Sequence, residues 1–221
     1  MPEIEKATLE KPIVIIPEAL VDEAVLLLHH TFIREYSKKN FGVVIPIERG
    51  GHEVGEGMCH PGEGIDLKPN PMQMSHYPDG GGYLPKPICK MRPDLYGIID
   101  LSSGLTKDVY FAEAVVESQE TIIAAQEEIN QMIDEYNDQH QDAQFDYPVY
   151  HTFALVSKTT GDIKIPNYHY AFAVNKDIWV RGRGCDDKGL GREERDFLGR
   201  IGDHTKKVPP EPYFEKSSLW D

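Results

Sequence analysis

The spacing of apolar positions changes several times along the chain, and each change predicts an element. Ile13 to Ile16 is a short β-branched run that reads as a strand, and Pro17 and Glu18 then form the first turn of a helix. Val21, Ala24, Val25, Leu28, Phe32 and Tyr36 recur every three or four residues, which gives that helix one apolar face. Lys38, Lys39, Asn40 and Gly42 stop it, and Val43 to Ile47 is a second strand.

From Gly50 to Cys89 both periods vanish, and nine glycines and six prolines interrupt the chain. No regular element of ordinary length fits there. Met58, Ile65, Leu67, Met72, Met74, Tyr77, Tyr83 and Leu84 still supply apolar surface, so the segment reads as a long ordered loop packed on the body.

Leu95 to Leu101 reads as a buried strand, and Thr106 offers an N-cap with Asp108 in the first turn behind it. Val115, Ile122, Ile129 and Tyr136 then repeat at seven residues, predicting one helix over 106–137, roughly 45 Å long at 1.5 Å per residue. Val149 to Val156, Ile163 to Val174 and Ile178 to Arg183 follow as strands, with turn residues at 159–162 and 175–177, which predicts an antiparallel three-stranded meander. Arg192 to Arg200 has the composition of a short helix. The expected fold is α+β: a mixed or antiparallel sheet with a C-terminal meander, packed by two main helices in a single domain over 1–221.

Charge changes the picture mainly through its distribution. The net charge is -14, which repels nucleic-acid phosphate. Between Lys107 and Lys158 there is no Lys or Arg, while Asp108, Glu113, Glu117, Glu120, Glu127, Glu128, Asp134, Glu135, Asp138, Asp142 and Asp146 all fall there. An acidic face on the 106–137 helix is the feature a basic protein partner would read, so a non-enzymatic acidic subunit or binding protein is one reading of function. The first residues lack the pattern of a secretory signal, and no apolar run is long enough to span a bilayer, which excludes a membrane partner. Three widely spaced cysteines make a poor disulfide framework, and a cytoplasmic location is expected.

The other reading is catalytic. The 50–89 loop carries His52, Cys59, His60 and His76, an imidazole and thiolate set that suits zinc, with iron or manganese admitted by the neighbouring carboxylates. The spacing matches no compact zinc motif, and HExxH is absent. His151 and His169 lie on neighbouring strands of the expected meander, directly opposite one another if a three-residue loop joins those strands; the commoner role of such residues is structural. Cys185 is a candidate nucleophile, with Arg181, Arg183 and Lys188 near it in sequence to stabilise a thiolate or to hold a substrate's carboxylate or phosphate. Phosphate-loop and nucleophile-elbow motifs are absent. Together these residues lead to the expectation of a metal-assisted hydrolase or lyase acting on a small molecule.

Overall fold

A computed structural model describes residues 13–39, 41–48, 50–59, 67–77, 83–159, 162–175, 178–181, 197–201 and 214–221. The first half opens as the periodicity predicts. Strand β1 (Ile13–Ile16) leads into helix α1 (Glu18–Tyr36), whose Val21, Ala24, Leu28, Phe32 and Tyr36 are buried, and then into β2 (Gly42–Glu48).

The expected loop contains more structure than its composition suggests. It holds helix α2 (Gly51–Met58), then β3 (Met72–Ser75) and β4 (Ile88–Met91). The glycines of α2 serve close packing. A Cβ at Gly51 would stand 1.9 Å from the carbonyl oxygen of Ala112, and one at Gly55 would stand 2.4 Å from Cγ of Pro46. Only glycine lets this helix lie so close to the sheet.

The next stretch departs furthest from expectation. Residues 95–101 fold as a short helix α3 (Leu95–Ile98) and β5 (Ile99–Asp100), which pairs with β6 (Leu105–Thr106). The predicted 106–137 helix is two elements, strand β7 (Asp108–Val116) and helix α4 (Glu120–Gln139). Val109 to Ala112, Ala114 and Val116 are all buried. A central parallel strand covered on both faces is apolar almost throughout, so it mimics a helix in a search for helical spacing. The break falls at Gln119, whose φ of 62° is left-handed and ends the extended run.

Strands β8 (Tyr150–Ser157), β9 (Tyr168–Val174), β10 (Ile178–Arg181), β11 (Phe197–Ile201) and β12 (Phe214–Lys216) complete the fold. The main sheet has seven strands in the order β12-β9-β8-β7-β2-β3-β4. Its five inner strands run parallel, and only the edge strands β12 and β4 are antiparallel. This is a mostly parallel α/β sheet, and it replaces the α+β meander expected from the sequence. Strands β8 and β9 pair in parallel, so the chain returns to the starting end of the sheet between them and the expected hairpin is not made. Gln119 anchors that return: its side-chain oxygen accepts the backbone N–H groups of Lys164 (2.7 Å) and Ile165 (3.2 Å). Part of the expected 192–200 helix is strand β11, and the rest lies outside the described residues.

Two apolar layers cover the sheet. Phe32, Val54, Met58, Tyr110, Phe153 and Leu155 join α1 and α2 to one face. Phe111, Ile122, Ala125, Ile129 and Ile133 join α4 to the other. A smaller antiparallel sheet, β1-β11-β10, adds Ile15, Ile16, Ile178 and Val180 to the first layer. Among the described residues no helix is long and apolar enough to cross a membrane.

Candidate functional site

In an open parallel sheet, ligands bind beyond the carboxyl ends of the strands, at the point where successive connections leave in opposite directions. Here that point lies between β2 and β7. From β2 the chain moves on to β3 on one side, and from β7 it moves to β8 and β9 on the other. The β2–β7 pairing ends at Pro46 and Ala112, whereas β2 continues along β3 to Glu48 and β7 continues along β8 to Val116. The two strands part here, the crevice position of such a sheet, and Gly51 at the start of α2 is seated on Ala112 and Glu113.

The side chains at this end form a polar group. Lys158, next after β8, is buried with its side chain 3% exposed, and its Nζ donates to Oε1 of Glu117 at 2.6 Å. Glu117 directly follows β7 and remains open to solvent, so a nearly buried ammonium is presented through an accessible carboxylate. The Lys158 backbone N–H donates to the carbonyl of Val116 (2.8 Å), which fixes this pair to the strand ends. Ser157 Oγ lies 2.6 Å from Thr159 Oγ1.

Glu113, on β7 where the strands part, accepts the backbone N–H of Ala114 at Oε1 (2.9 Å). Burial pushes its carboxyl up to about 8, although the N–H groups of Ala114 and Val115 pull the other way. Below that pH it is a neutral acid that can donate a hydrogen bond.

The residues singled out by sequence are scattered. His52 lies on α2, 3.3 Å from Glu48 at the end of β2 and 3.2 Å from Glu56 one turn along the helix. Cys59 is buried, and burial pushes its thiol up to about 12, which leaves it protonated and inert. His76 follows β3, stacked on Tyr83 at 5.1 Å with Nδ1 2.8 Å from the Leu84 carbonyl oxygen. His60 lies outside the described residues. Among the described residues no three His, Cys, Asp or Glu side chains form a group able to hold a metal ion. The expected zinc, iron or manganese site is therefore withdrawn.

His151 and His169 sit near the starts of β8 and β9, at the opposite end of the sheet from the crevice. The hairpin pairing expected for them is replaced by parallel register, in which His169 lies beside Phe153. Arg181 ends β10 opposite Leu198, and Arg183, Cys185 and Lys188 lie outside the described residues. The acidic face expected to meet a basic partner is met within the chain. Glu113 and Glu117 do not belong to the helix, Lys86 binds Glu127 (2.6 Å), and Arg92 binds Glu128 (2.6 Å) and Glu135 (2.8 Å).

Sequence reasoning missed Lys158, Glu117 and Gln119. A usable signal was present: Lys158 is the first cation after a long acidic stretch, and it ends a buried strand.

No protein-family model matches the sequence, and no curated protein matches it. Solved structures do resemble the fold. A hypoxanthine phosphoribosyltransferase variant carrying glutamic acid at an invariant aspartic acid superposes with a TM-score of 0.62 at 14% identity, covering 86% of this chain and 94% of that one. The Trypanosoma cruzi hypoxanthine phosphoribosyltransferase K68R mutant, complexed with the product IMP, gives 0.56 at 16% identity, covering 84% and 89%. A hypoxanthine-guanine phosphoribosyltransferase from Bacillus anthracis gives 0.52 at 17% identity, covering 84% and 96%. The metal-assisted hydrolase or lyase reading rested on the loop ligands, which form no metal-holding group among the described residues, and the α+β expectation is overturned by the likeness of fold: the chain has the fold seen in hypoxanthine phosphoribosyltransferases.

Proposed function

We propose that the chain is a transferase that joins a phosphoribosyl group to a purine-type base in the crevice between β2 and β7. The observation that carries this reading is the Lys158–Glu117 pair at the strand ends, in a fold shared with enzymes of that activity. A lactam base such as hypoxanthine offers a carbonyl oxygen beside ring N–H groups. An ammonium held in place by burial complements the carbonyl, and an accessible carboxylate complements an N–H.

In the transfer, a ring nitrogen forms a bond to ribose C1 as the bond from C1 to the diphosphate oxygen breaks. Diphosphate leaves with that electron pair, and the base gives up its N–H proton. In this reading Glu117 takes the proton, while Lys158 holds the base in register for attack. The diphosphate leaving group calls for a hard divalent cation of the magnesium class, but the carboxylates at this end are taken: Glu117 pairs with Lys158, and Glu113 is a neutral acid below about 8. Such a cation would neutralise diphosphate charge when bound. Cys59 and Cys89 are free thiols, which suits the cytoplasm.

Formation of IMP from hypoxanthine and phosphoribosyl diphosphate, followed chromatographically, tests the proposal. Lys158→Met should lower kcat/KM about a hundredfold, which corresponds to about 2.7 kcal/mol of transition-state binding. Absence of product with hypoxanthine, guanine and adenine, together with no detectable IMP binding, would reject it.

A further inference from the structure

A second group of titratable side chains lies at the opposite end of the same strands. His151 stacks on Tyr110, ring centroids 4.6 Å apart, and His169 stacks on Phe153 at 4.8 Å. Since β8 and β9 run in parallel with Phe153 beside His169, the two imidazoles are diagonal neighbours on the face that packs under α1. His151 Nδ1 is buried without a hydrogen-bond partner among the described residues, and Nε2 stands 3.9 Å from Asp108.

The charged groups facing this pair come from two elements. Helix α1 brings Arg34 and Glu35, with Lys38 and Lys39 just beyond its end, and β7 brings Asp108. Both carboxylates are already engaged: Lys39 binds Asp108 at 2.9 Å, and Lys38 binds Glu35. The cluster can therefore hold two neutral imidazoles. Two imidazolium ions would add like charges to an apolar, aromatic surface whose anions are already paired.

We propose that His151 and His169 form an acid-sensitive latch: neutral, they let the last turn of α1 dock on the starts of β7, β8 and β9, and protonated together they release it. Burial pulls both imidazoles below 6.5, while Asp108 and Glu35 pull His151 back and Glu35 pulls His169 back. The released form therefore binds protons more readily than the docked one. Docking is at full strength above 6.5 and weakens as pH falls below it. The latch does not depend on the transferase reading, because it uses no residue of the crevice.

Hydrogen exchange of the intact protein at about pH 5 and about pH 7.5, corrected for the pH dependence of chemical exchange, tests the latch. Amides of residues 33–39 should lose protection by about tenfold or more at the lower pH, while those of Ile129 to Ile133 hold theirs. The double variant His151→Gln, His169→Gln should abolish the difference. Equal protection in the wild type at the two pH values, or an unchanged acid response in the double variant, would overturn the proposal. Should the double variant fail to fold, proton NMR titration of the wild-type imidazoles decides. Midpoints below 6.5 for both, with loss of the α1 signals over the same interval, support the latch, and midpoints at or above 6.5 overturn it.

Discussion

Glu113 stands where a charged carboxylate is costly. The ordinary value of such a group is 4.5 and burial lifts it to about 8, so between these limits the native state binds more protons than the unfolded state. Stability from this group is therefore fully present below 4.5 and is lost as pH rises through 8. Glu113→Gln keeps the shape without the titration. It should be stabilising by an amount on the order of 1 kcal/mol or more at about pH 9 and near neutral in effect at about pH 5, as read from urea midpoints at the two values. An equal effect at both pH values would show that Glu113 is not titrating in the fold. Gly51 is a second residue with a definite expectation. With the Ala112 carbonyl oxygen 1.9 Å from where a Cβ would stand, Gly51→Ala should cost more than about 2 kcal/mol, whereas an alanine at the open surface Gly104, at φ +68°, should cost less.

At the scale of elements, α4 shows which forces hold a helix to this sheet. Ile129 and Ile133 are fully buried, whereas the ion pairs to Lys86 and Arg92 are solvent-exposed. Ile129→Ala should cost about 2–5 kcal/mol, and Arg92→Ala less than about 1, with chemical denaturation as the measure. The same helix shows how much of the fold the sequence discloses. Helix α1 was legible because its stripe of Val21, Ala24, Leu28, Phe32 and Tyr36 faces one layer only. The β7–α4 boundary was not, because the strand is buried on both faces and its apolar run merges with the stripe of Ile122 and Ile129. Helix α2 was hidden by glycines whose reason is the long-range approach of Gly51 to Ala112 and of Gly55 to Pro46. The direction of β9 depends on Gln119 holding residues 164 and 165, a contact more than forty residues apart in sequence. Of the candidate site, His52 alone among the described expected ligands lies beside the end of β2, and the Lys158–Glu117 pair emerges only once β7 and β8 are known to be parallel neighbours.

At the scale of the whole molecule, the five parallel strands give the sheet two ends with different chemistry. Their carboxyl ends carry Lys158 and Glu117, and their amino ends carry the histidine pair beside Asp108. A ligand that binds only the folded crevice stabilises the fold by mass action, whereas a resident structural metal would make the fold depend on that metal. At a hundredfold excess over its dissociation constant, a nucleotide product such as IMP should add about 2.7 kcal/mol, which is about 5–10 °C in Tm for a chain of this size. Of the metal-ligand set expected from His52, Cys59, His60 and His76, the three described residues form no metal-holding group, so prolonged chelation should leave the Tm of the ligand-free protein unchanged. Calorimetry with IMP, with chelator and with both separates the alternatives. A shift with IMP and none with chelator supports nucleotide binding in the crevice. A fall in Tm on chelation would restore a structural metal, and no shift with IMP would leave the fold without the ligand proposed for it.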